Sequence, residues 1–207
     1  MFAVLLSLGA LSLGCKKKQQ GELRAPDGAV SFERRYDVAF DDTYTDTPIE
    51  MAGRAPNDVR DQRLFAARLG HADLVMEVEV EQVWGRGRHR GQPDQYLDVQ
   101  IGKVLLGTLP KKVDETQLLR LANEDDIPAS LEGKTLLFFG RWAPGERPSF
   151  HHHLMPTDPE LLELIDAMVE HAEEAGVDLD DGSGRRGRRA RQRDRKKAER
   201  EKKKAKN

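Results

Sequence analysis

Alternation of apolar and polar residues marks the middle of the chain as β-structure. From 74 to 81, Leu74, Met76, Val78 and Val80 alternate with Glu77, Glu79 and Glu81. A period of two predicts a strand with one buried and one solvated face. The glycine- and arginine-rich segment Gly85 to Gly91 predicts the following turn, and Tyr96 to Leu106 predicts the partner strand. The apolar phase changes at Gly102, which predicts a β-bulge.

Three shorter segments complete the β-pattern. Strands are predicted near Gln117 to Ala122, over Leu136 to Phe139, and over Phe150 to Leu154. The run Leu136 to Phe139 is apolar throughout, as expected of a strand that is covered on both faces. The chain therefore contains five predicted strands.

A helix is predicted on each side of these strands. Apolar residues recur at helical spacing over Asp58 to Leu69, with Asn57 or Asp58 as N-cap and Gly70 as terminator. The second helix follows Thr157 or Asp158 as N-cap. Its apolar face is expected to comprise Leu161, Leu162, Leu164, Ile165, Met168 and Val169.

The region before the first helix gives a less regular pattern. Lys16 to about Gly28 is polar and predicts a tether. Val30 to Phe40 has apolar residues on its even positions, which predicts a strand, but its aromatic residues are also spaced by four, which leaves a helix open. Asp41 to Asp58 is rich in Asp, Thr, Pro and Gly and predicts a loop.

This order of elements predicts a mainly β fold with flanking helices (α+β), namely a small five-stranded barrel with a helix before and after. Ala72-Asp73-Leu74-Val75, then Val104-Leu105-Leu106-Gly107, then Leu131-Glu132-Gly133-Lys134 leading into Leu136 to Phe139, resembles the bacterial relatives of the TIMP/netrin-like OB-fold. The resemblance covers Ala72 to Trp142 and implies an OB-like barrel. Inhibition of metalloproteases in that superfamily needs an N-terminal cysteine on the barrel. Cys15 lies far upstream of it, which argues against that activity.

The first residues predict where in the cell the protein is located. A short uncharged apolar run from Phe2 to Leu13 ends in Gly14 and Cys15. It is shorter than the roughly 20 apolar residues that a membrane-spanning helix needs. It resembles a bacterial lipoprotein signal peptide with its lipobox, which implies export and acylation of Cys15.

Two features depart from the lipobox pattern. Ser12 stands where a branched aliphatic residue is usual, and the run lacks a preceding positive segment, which an upstream start codon would explain. The alternative is a buried N-terminal strand or helix followed by an ordinary cysteine. Four parts of the chain are therefore expected: a signal peptide at 1–14, a tether with a possible extra strand at 15–56, the barrel domain with its C-terminal helix at 57–176, and a disordered basic tail at 177–207.

Charge divides the chain unevenly. Apolar residues make up 38% and charged residues 34%, so a core cannot extend along the whole length. From Gly184 to Asn207, fourteen Lys or Arg oppose three acidic residues, a net charge of +11. Because the whole chain carries -2, the part before Gly184 carries -13. The basic tail includes Arg185, Arg186, Arg188 and Arg189. It has no large apolar residue, which predicts disorder or a lone fraying helix.

The expected partners follow from the predicted cellular location and from the basic tail. Acylated Cys15 would hold the protein on a lipid bilayer, and a lysine at position 16 favours the outer membrane of the cell envelope by resemblance to a known sorting rule. The tail would contact anionic lipid, lipopolysaccharide or cell-wall polymer. Its alternative role is a solubilising extension. An exported chain argues against nucleic acid as a partner, whereas a cytoplasmic one would favour RNA.

Candidate chemistry is sparse. His151 and His153 would share one face of an extended strand and could bind a metal if a third ligand, such as His71, His89 or a carboxylate, arrived by folding. The alternative is a surface histidine patch. Arg86, Arg88 and Arg90 in the Gly85 to Gly91 loop could bind an anionic ligand, or could be a solvated hairpin tip.

No catalytic motif and no cofactor fingerprint occurs in the sequence. The leading hypothesis is therefore a non-enzymatic envelope lipoprotein without a cofactor. A ligand- or protein-binding OB-fold module using the Gly85 to Gly91 loop is the alternative. A metal-dependent periplasmic enzyme is the third.

Overall fold

One curled β-sheet carries the fold. The computed structural model describes residues 21–49, 56–89 and 92–175. Within these ranges the sheet has six strands: β1 (Thr43–Tyr44), β2 (Leu74–His89), β3 (Gln92–Leu106), β4 (Thr116–Leu121), β5 (Thr135–Trp142) and β6 (Phe150–Pro156). The α-helices described are α1 (Pro56–His71) and α2 (Pro159–Glu174), and short 3-10 turns lie at Arg34–Tyr36 and Ala129–Leu131.

The strand order in the sheet is β1-β6-β5-β2-β3-β4. Strands β2, β3 and β4 follow one another as antiparallel neighbours, and β5 then returns to pair with β2. This arrangement is a Greek key. Strand β6 pairs antiparallel with β5, whereas β1 runs parallel to β6. The domain is therefore β-dominated, with helices before and after the main strands, as the sequence predicts.

The strand count differs from the prediction. All five predicted strands are present, and the described residues add a sixth, β1, inside the segment predicted to be a loop. Strand β1 has only two residues, which pair with His153 and Leu154 of β6. No local pattern marks it, because its pairing partner lies more than 100 residues away.

The long hairpin of β2 and β3 contains the predicted bulge. Met76 pairs with Val104 and Val78 with Ile101, so that β3 has one residue more than β2 between these pairs. A β-carbon added to Gly102 would lie 3.1 Å from the carbonyl oxygen of Glu77. The bulge at Gly102 is confirmed, and a glycine allows the close approach of the two backbones.

The turn of this hairpin is shorter than predicted. The sequence predicts a turn over Gly85 to Gly91, but β2 continues to His89 and β3 begins at Gln92. Gly87 has φ of +91°, a conformation that favours glycine, and the pairing has an irregularity between Gly85 and Arg88. The glycines therefore act inside a twisted ribbon and do not end the strand.

Two apolar clusters lie on the two faces of the sheet. The inner cluster lies on the concave side and includes Met76, Leu97, Leu119, Phe138 and Leu154. The helix-side cluster packs the other face against the helices and includes Phe65, Val75, Phe139, Met155 and Ile165. Adjacent residues of β5 and β6 enter opposite clusters, as alternation along a strand requires.

The two edges of the sheet meet at one end. The backbone N–H of Ala122, just after β4, donates to the carbonyl oxygen of Asp42, just before β1, at 2.7 Å. The side chain of Asn123 accepts from the N–H of Tyr44 and donates to its carbonyl oxygen, each at 2.8 Å. The amide thus takes the place of a neighbouring strand, and the sheet curls far enough to join its edges there.

Residues 21–25 pack along the remaining gap between β4 and β6. The N–H of Leu23 donates to Gln117 Oε1 at 2.7 Å, and the Gln117 amide donates to the carbonyl oxygen of Gly21 at 3.0 Å. Leu23 is buried in the inner cluster, and the N–H of Ala25 donates to Ser149 Oγ. The sequence predicts a tether up to about Gly28, but residues 21–25 are fixed to the sheet, because a single leucine and the backbone supply the contacts.

The segment Val30 to Phe40 is neither a strand nor a regular helix. Its 3-10 turn and the hydrogen bonds from Ala39 and Phe40 to the carbonyl oxygen of Tyr36 bury Tyr36 and Phe40, while Val30 and Val38 stay exposed. The spacing of four between the two aromatics decides the conformation, and the predicted even apolar face does not form. Arg68 of α1 donates from Nε to the carbonyl oxygen of Ala39 and fixes this segment.

The helix ends agree in part with the sequence. Helix α2 has the predicted cap, because Asp158 Oδ1 accepts from the N–H of Glu160 at 2.8 Å. Helix α1 begins at Pro56, before the predicted caps Asn57 and Asp58, and passes through Gly70, its predicted terminator. Neither helix of the described part is long and apolar enough to cross a lipid bilayer.

Candidate functional site

Several residues predicted to form sites lie outside the described part of the chain. These are Cys15, Arg90, and the tail residues Arg185, Arg186, Arg188 and Arg189. For Arg86 and Arg88 the structure gives the backbone, which belongs to β2, and not the side chains. The lipidation and anion-binding roles of these residues stay predictions.

The three histidines of β6 divide between the two faces of the strand. His151 and His153 lie on the helix side, where His151 contacts the Phe32 ring at a centroid distance of 4.4 Å. His152 lies on the inner side, stacked against Phe138 at 5.5 Å with an angle of 11° between the ring planes. His151 and His153 thus share a face, as the extended backbone requires.

His153 is almost completely buried and is held through both ring nitrogens. Its Nδ1 lies 2.9 Å from Asp41 Oδ1, and its Nε2 lies 3.0 Å from Thr45 Oγ1. Thr43 Oγ1 donates to the same Asp41 oxygen at 2.7 Å. A neutral imidazole that donates from Nδ1 to Asp41 and accepts from Thr45 at Nε2 satisfies all three partners.

The pKa directions agree with a neutral His153 beside an ionised Asp41. Burial lowers the pKa of His153 and outweighs the hydrogen bond to Asp41. Burial alone would raise the pKa of Asp41, but the hydrogen bonds from His153 and Thr43 hold that pKa below its usual value. The group is a buried donor–acceptor network.

Thr45, His153 and Asp41 have the order of a nucleophile, a base and an orienting carboxylate. Access distinguishes them from a catalytic triad, because the His153 side chain is 1% exposed. The cavity described below is lined by none of the three. The arrangement holds β6 and the segment 41–45 together, and it gives no support to a hydrolase.

His151 is the partly exposed counterpart on the same face. Its Nδ1 lies 2.7 Å from Asp42 Oδ2 and its Nε2 lies 3.0 Å from Glu146 Oε2. Burial lowers the pKa of His151, but the two carboxylates outweigh burial and raise it above its usual value. Asp42 also accepts from the backbone N–H of His152 at 2.9 Å, so one carboxylate ties two consecutive residues of β6 to the chain before β1.

The described residues provide no third ligand for the metal site predicted at His151 and His153. Among the residues that the structure describes, no group of three or more His, Cys, Asp or Glu side chains is arranged to bind a metal ion. All four ring nitrogens of the two histidines face a carboxylate or a hydroxyl. His71 instead contacts the ring of Tyr36, at a centroid distance of 4.9 Å and with an angle of 53° between the ring planes.

His152 differs from its neighbours because its imidazole has no hydrogen bond. Neither ring nitrogen has a partner among the described residues, although the residue is only 1% exposed. Asp42 Oδ1 lies 3.0 Å from Nδ1, an electrostatic contact without hydrogen-bond geometry. An unpaired buried imidazole costs about 1–3 kcal/mol of folding free energy.

The ring of His152 lines a cavity of about 710 Å³, which we call the seam cleft because it occupies the gap between β4 and β6. The seam cleft lies between the segment that contains Leu23, the outer positions of β4, and the hairpin that joins β5 to β6. Its lining residues are Glu22, Leu23, Arg24, Tyr96, Gln117, Leu118, Arg120, Glu146, Arg147, Pro148, Ser149, Phe150 and His152. Small-molecule sites typically enclose about 300–1,000 Å³.

The seam cleft combines positive charge with apolar surface. Leu118 is 54% exposed, and Tyr96 and Arg120 are direct neighbours across β3 and β4. Arg24 pairs with Glu22, and Glu146 pairs with His151. Arg147 has no hydrogen-bond or ion-pair partner within the described ranges. An unpaired guanidinium in the lining of a cleft is suited to an anion.

No motif in the sequence predicts this cleft. The predicted metal ligands are His151 and His153, and His152 lies on the opposite face of the strand. The signal was nevertheless in the sequence, since alternation places His152 on the same face as the apolar residues Phe150 and Leu154. A histidine among core residues needs a partner or a ligand.

Comparison of the chain with protein-family models gave no match, and comparison with curated protein sequences gave none either.

Proposed function

We propose that the chain is a non-enzymatic lipoprotein of the bacterial cell envelope. Acylated Cys15 holds a small β-domain at the membrane, with the outer membrane favoured. The basic tail, with Arg185, Arg186, Arg188 and Arg189, contacts anionic lipid, lipopolysaccharide or cell-wall polymer. The observation that carries the proposal is the lipobox-like end of the apolar run at Cys15, six residues before Gly21, which is already fixed to the sheet.

The short separation between Cys15 and Gly21 limits how far the domain can lie from the membrane. Six residues span at most about 20 Å when fully extended. Gly21 receives a hydrogen bond from Gln117 and donates one to Asp114 Oδ2 at 2.8 Å. The side of the domain near Asp114 and Gln117 would therefore lie close to the bilayer surface. Lys16 to Lys18 would lie at the headgroups, where each adds about 1 kcal/mol of attraction to anionic lipid.

The sheet order supports an OB-like identity for the domain. Five strands in the order β6-β5-β2-β3-β4, with a Greek-key connection and joined edges, agree with a partly open five-stranded barrel. Strand β1 would then be an addition that extends the barrel at its seam. The resemblance of the segment Ala72 to Trp142 to TIMP/netrin-like domains points the same way.

A second candidate is a binding module that uses the tip of the β2–β3 hairpin. Pairing between β2 and β5 ends at Glu79, whereas β2 and β3 stay paired to His89. Strand β3 pairs with β4 as far as Gln95, so the hairpin is a two-stranded ribbon only beyond Gly85 and Gln95. The sequence of this ribbon and its tip includes Arg86, Arg88 and Arg90. Such a ribbon would present cations to a ligand.

Metabolic labelling with a palmitate analogue tests the anchor. The wild-type chain should take up label, and Cys15→Ser should abolish it, because Cys15 is the only cysteine and no other thiol can be acylated. Ser7→Ala, in the same apolar run, is the matched control and should stay labelled. An unlabelled wild type that retains residues 1–14 by intact mass would exclude the lipoprotein.

A further inference from the structure

The floor of the seam cleft holds a polar group that folding leaves unsatisfied. His152 is buried between Phe138 and Phe150, and its ring nitrogens make no hydrogen bond within the described part of the chain, although Asp42 Oδ1 lies 3.0 Å from Nδ1. Proteins pair almost all buried polar atoms, because an unpaired one lowers stability. A leucine would fill a similar volume without that cost. The imidazole is therefore best explained by something that binds it.

The walls of the cleft indicate the charge of that ligand. Arg147 has no partner within the described ranges, and Arg120 lies 3.8 Å from Asp94, a long contact for an ion pair. The part of the chain before Gly184 carries -13, so a pocket with available guanidinium groups differs from its surroundings. Guanidinium groups bind carboxylates and phosphates through paired hydrogen bonds.

The remaining lining indicates the body of the ligand. Leu118 is exposed on the outer side of β4, and Tyr96 lies next to Arg120 on the neighbouring strand. These side chains give a partly apolar wall within reach of the arginines. A ligand with an anionic head and a ring or short apolar body would cover both kinds of surface.

The geometry points to the seam cleft as a binding site for a small organic anion, a carboxylate or a phosphate ester, held by Arg147 and Arg120 and hydrogen-bonded to His152. Nδ1 of His152 faces Asp42 Oδ1 at 3.0 Å, so Nε2 is the ring nitrogen that remains for the ligand. The apolar body lies on Leu118 and Tyr96. The site does not depend on acylation of Cys15, so it would stand if the lipoprotein proposal failed.

Titration calorimetry on the full chain in detergent tests the site, with phenyl phosphate and benzoate as anionic probes and benzyl alcohol as the neutral one. An anionic probe should bind the wild type, and Arg147→Ala should weaken it at least about tenfold, the effect expected for a lost charge-assisted hydrogen bond. The matched control Lys134→Ala, at the opposite end of β5, should bind as the wild type does. All three proteins keep the basic tail, so any difference between them reports the cleft.

The two anionic probes distinguish the source of the anion. Binding of phenyl phosphate alone indicates a phosphate ester, and binding of both indicates a general anion site. Vesicles that contain phosphatidylglycerol, added as a competitor, release the probe if a lipid headgroup is the natural occupant. Each of these outcomes supports an anion site and limits the chemical class of its ligand.

His152→Leu separates a ligand-binding role from a structural one. The variant should fold with at least wild-type stability and bind the anionic probe at least about tenfold more weakly. The inference is overturned if no anionic probe binds the wild type, if benzyl alcohol binds as tightly as the anions, or if Arg147→Ala binds within twofold of the wild type. Arg147 is exposed, so its variant gives an answer even if His152→Leu does not fold.

Discussion

The two faces of β6 use the same residue type in opposite ways. On the helix side, His151 and His153 have a carboxylate or a hydroxyl beside every ring nitrogen. On the inner side, His152 is equally buried as His153, yet neither of its nitrogens is hydrogen-bonded to a described residue. Three consecutive identical side chains thus have three different environments, which the strand's alternation and the segment 41–45 define.

This difference teaches that pairing, not burial, separates a structural histidine from a candidate binding residue. His153 is satisfied within the fold and stabilises the attachment of β1 to β6. His152 instead belongs to the lining of the seam cleft. The comparison predicts opposite responses to removal of the two imidazoles.

The largest effect is expected from Asp42, which ties the paired face to the strand backbone. Asp42→Ala should lower the free energy of unfolding by about 3 kcal/mol, because the N–H of His152 and the ring of His151 both lose their acceptor. Asp42→Asn keeps an oxygen acceptor and should cost about 1 kcal/mol. Urea unfolding at pH 7 measures both, and equal losses for the two variants would contradict the proposed role of the oxygen.

A smaller loss is expected from the buried imidazole of the paired face. His153→Leu should lower the free energy of unfolding by about 2 kcal/mol, because Asp41 and Thr45 lose a buried partner. The matched control is Lys134→Ala, whose side chain is exposed and should change stability by less than about 0.5 kcal/mol. A urea unfolding midpoint of His153→Leu equal to that of the wild type would contradict the structural role of His153.

The smallest effect is a pH dependence that separates the two histidines of the paired face. The pKa of His151 is raised by Asp42 and Glu146, so its contribution is complete below about pH 6.5 and is lost as the pH rises through its folded pKa. Because the pair is partly exposed, this loss should be at most about 1 kcal/mol.

His153 affects the stability of the fold at acidic pH. Its pKa is lowered by burial, so its contribution is lost as the pH falls below about 6.5. Stability measured from pH 5 to 9 should therefore decline in both directions, and His151→Gln should remove only the alkaline decline. An alkaline decline that persists in His151→Gln would assign it to another group.

Much of the fold could be predicted from local pattern. Strands β2, β3 and β5, the bulge at Gly102 and the cap of α2 at Asp158 are all determined by residues near them in the chain. Strand β1 could not be predicted, because its two residues become a strand only through pairing with β6. The fixed path of residues 21–25 could not be predicted either, because it depends on Gln117 and Ser149.

The candidate site was predictable only as far as one strand determines it. Alternation places His151 and His153 on one face, and that prediction agrees with the structure. The carboxylates that engage them, Asp41 and Asp42, lie about 110 residues earlier, in a segment whose composition predicts a loop. The seam cleft joins four separate parts of the chain, and no sequence period connects them.

Calorimetric unfolding of wild type and His152→Leu, each with and without phenyl phosphate, tests the central claim most directly. Without ligand, His152→Leu should unfold at or above the wild-type temperature, because a buried unpaired polar group has been removed. Phenyl phosphate should raise the unfolding temperature of the wild type and leave that of His152→Leu nearly unchanged. A destabilised His152→Leu that phenyl phosphate stabilises as much as it does the wild type would contradict the account.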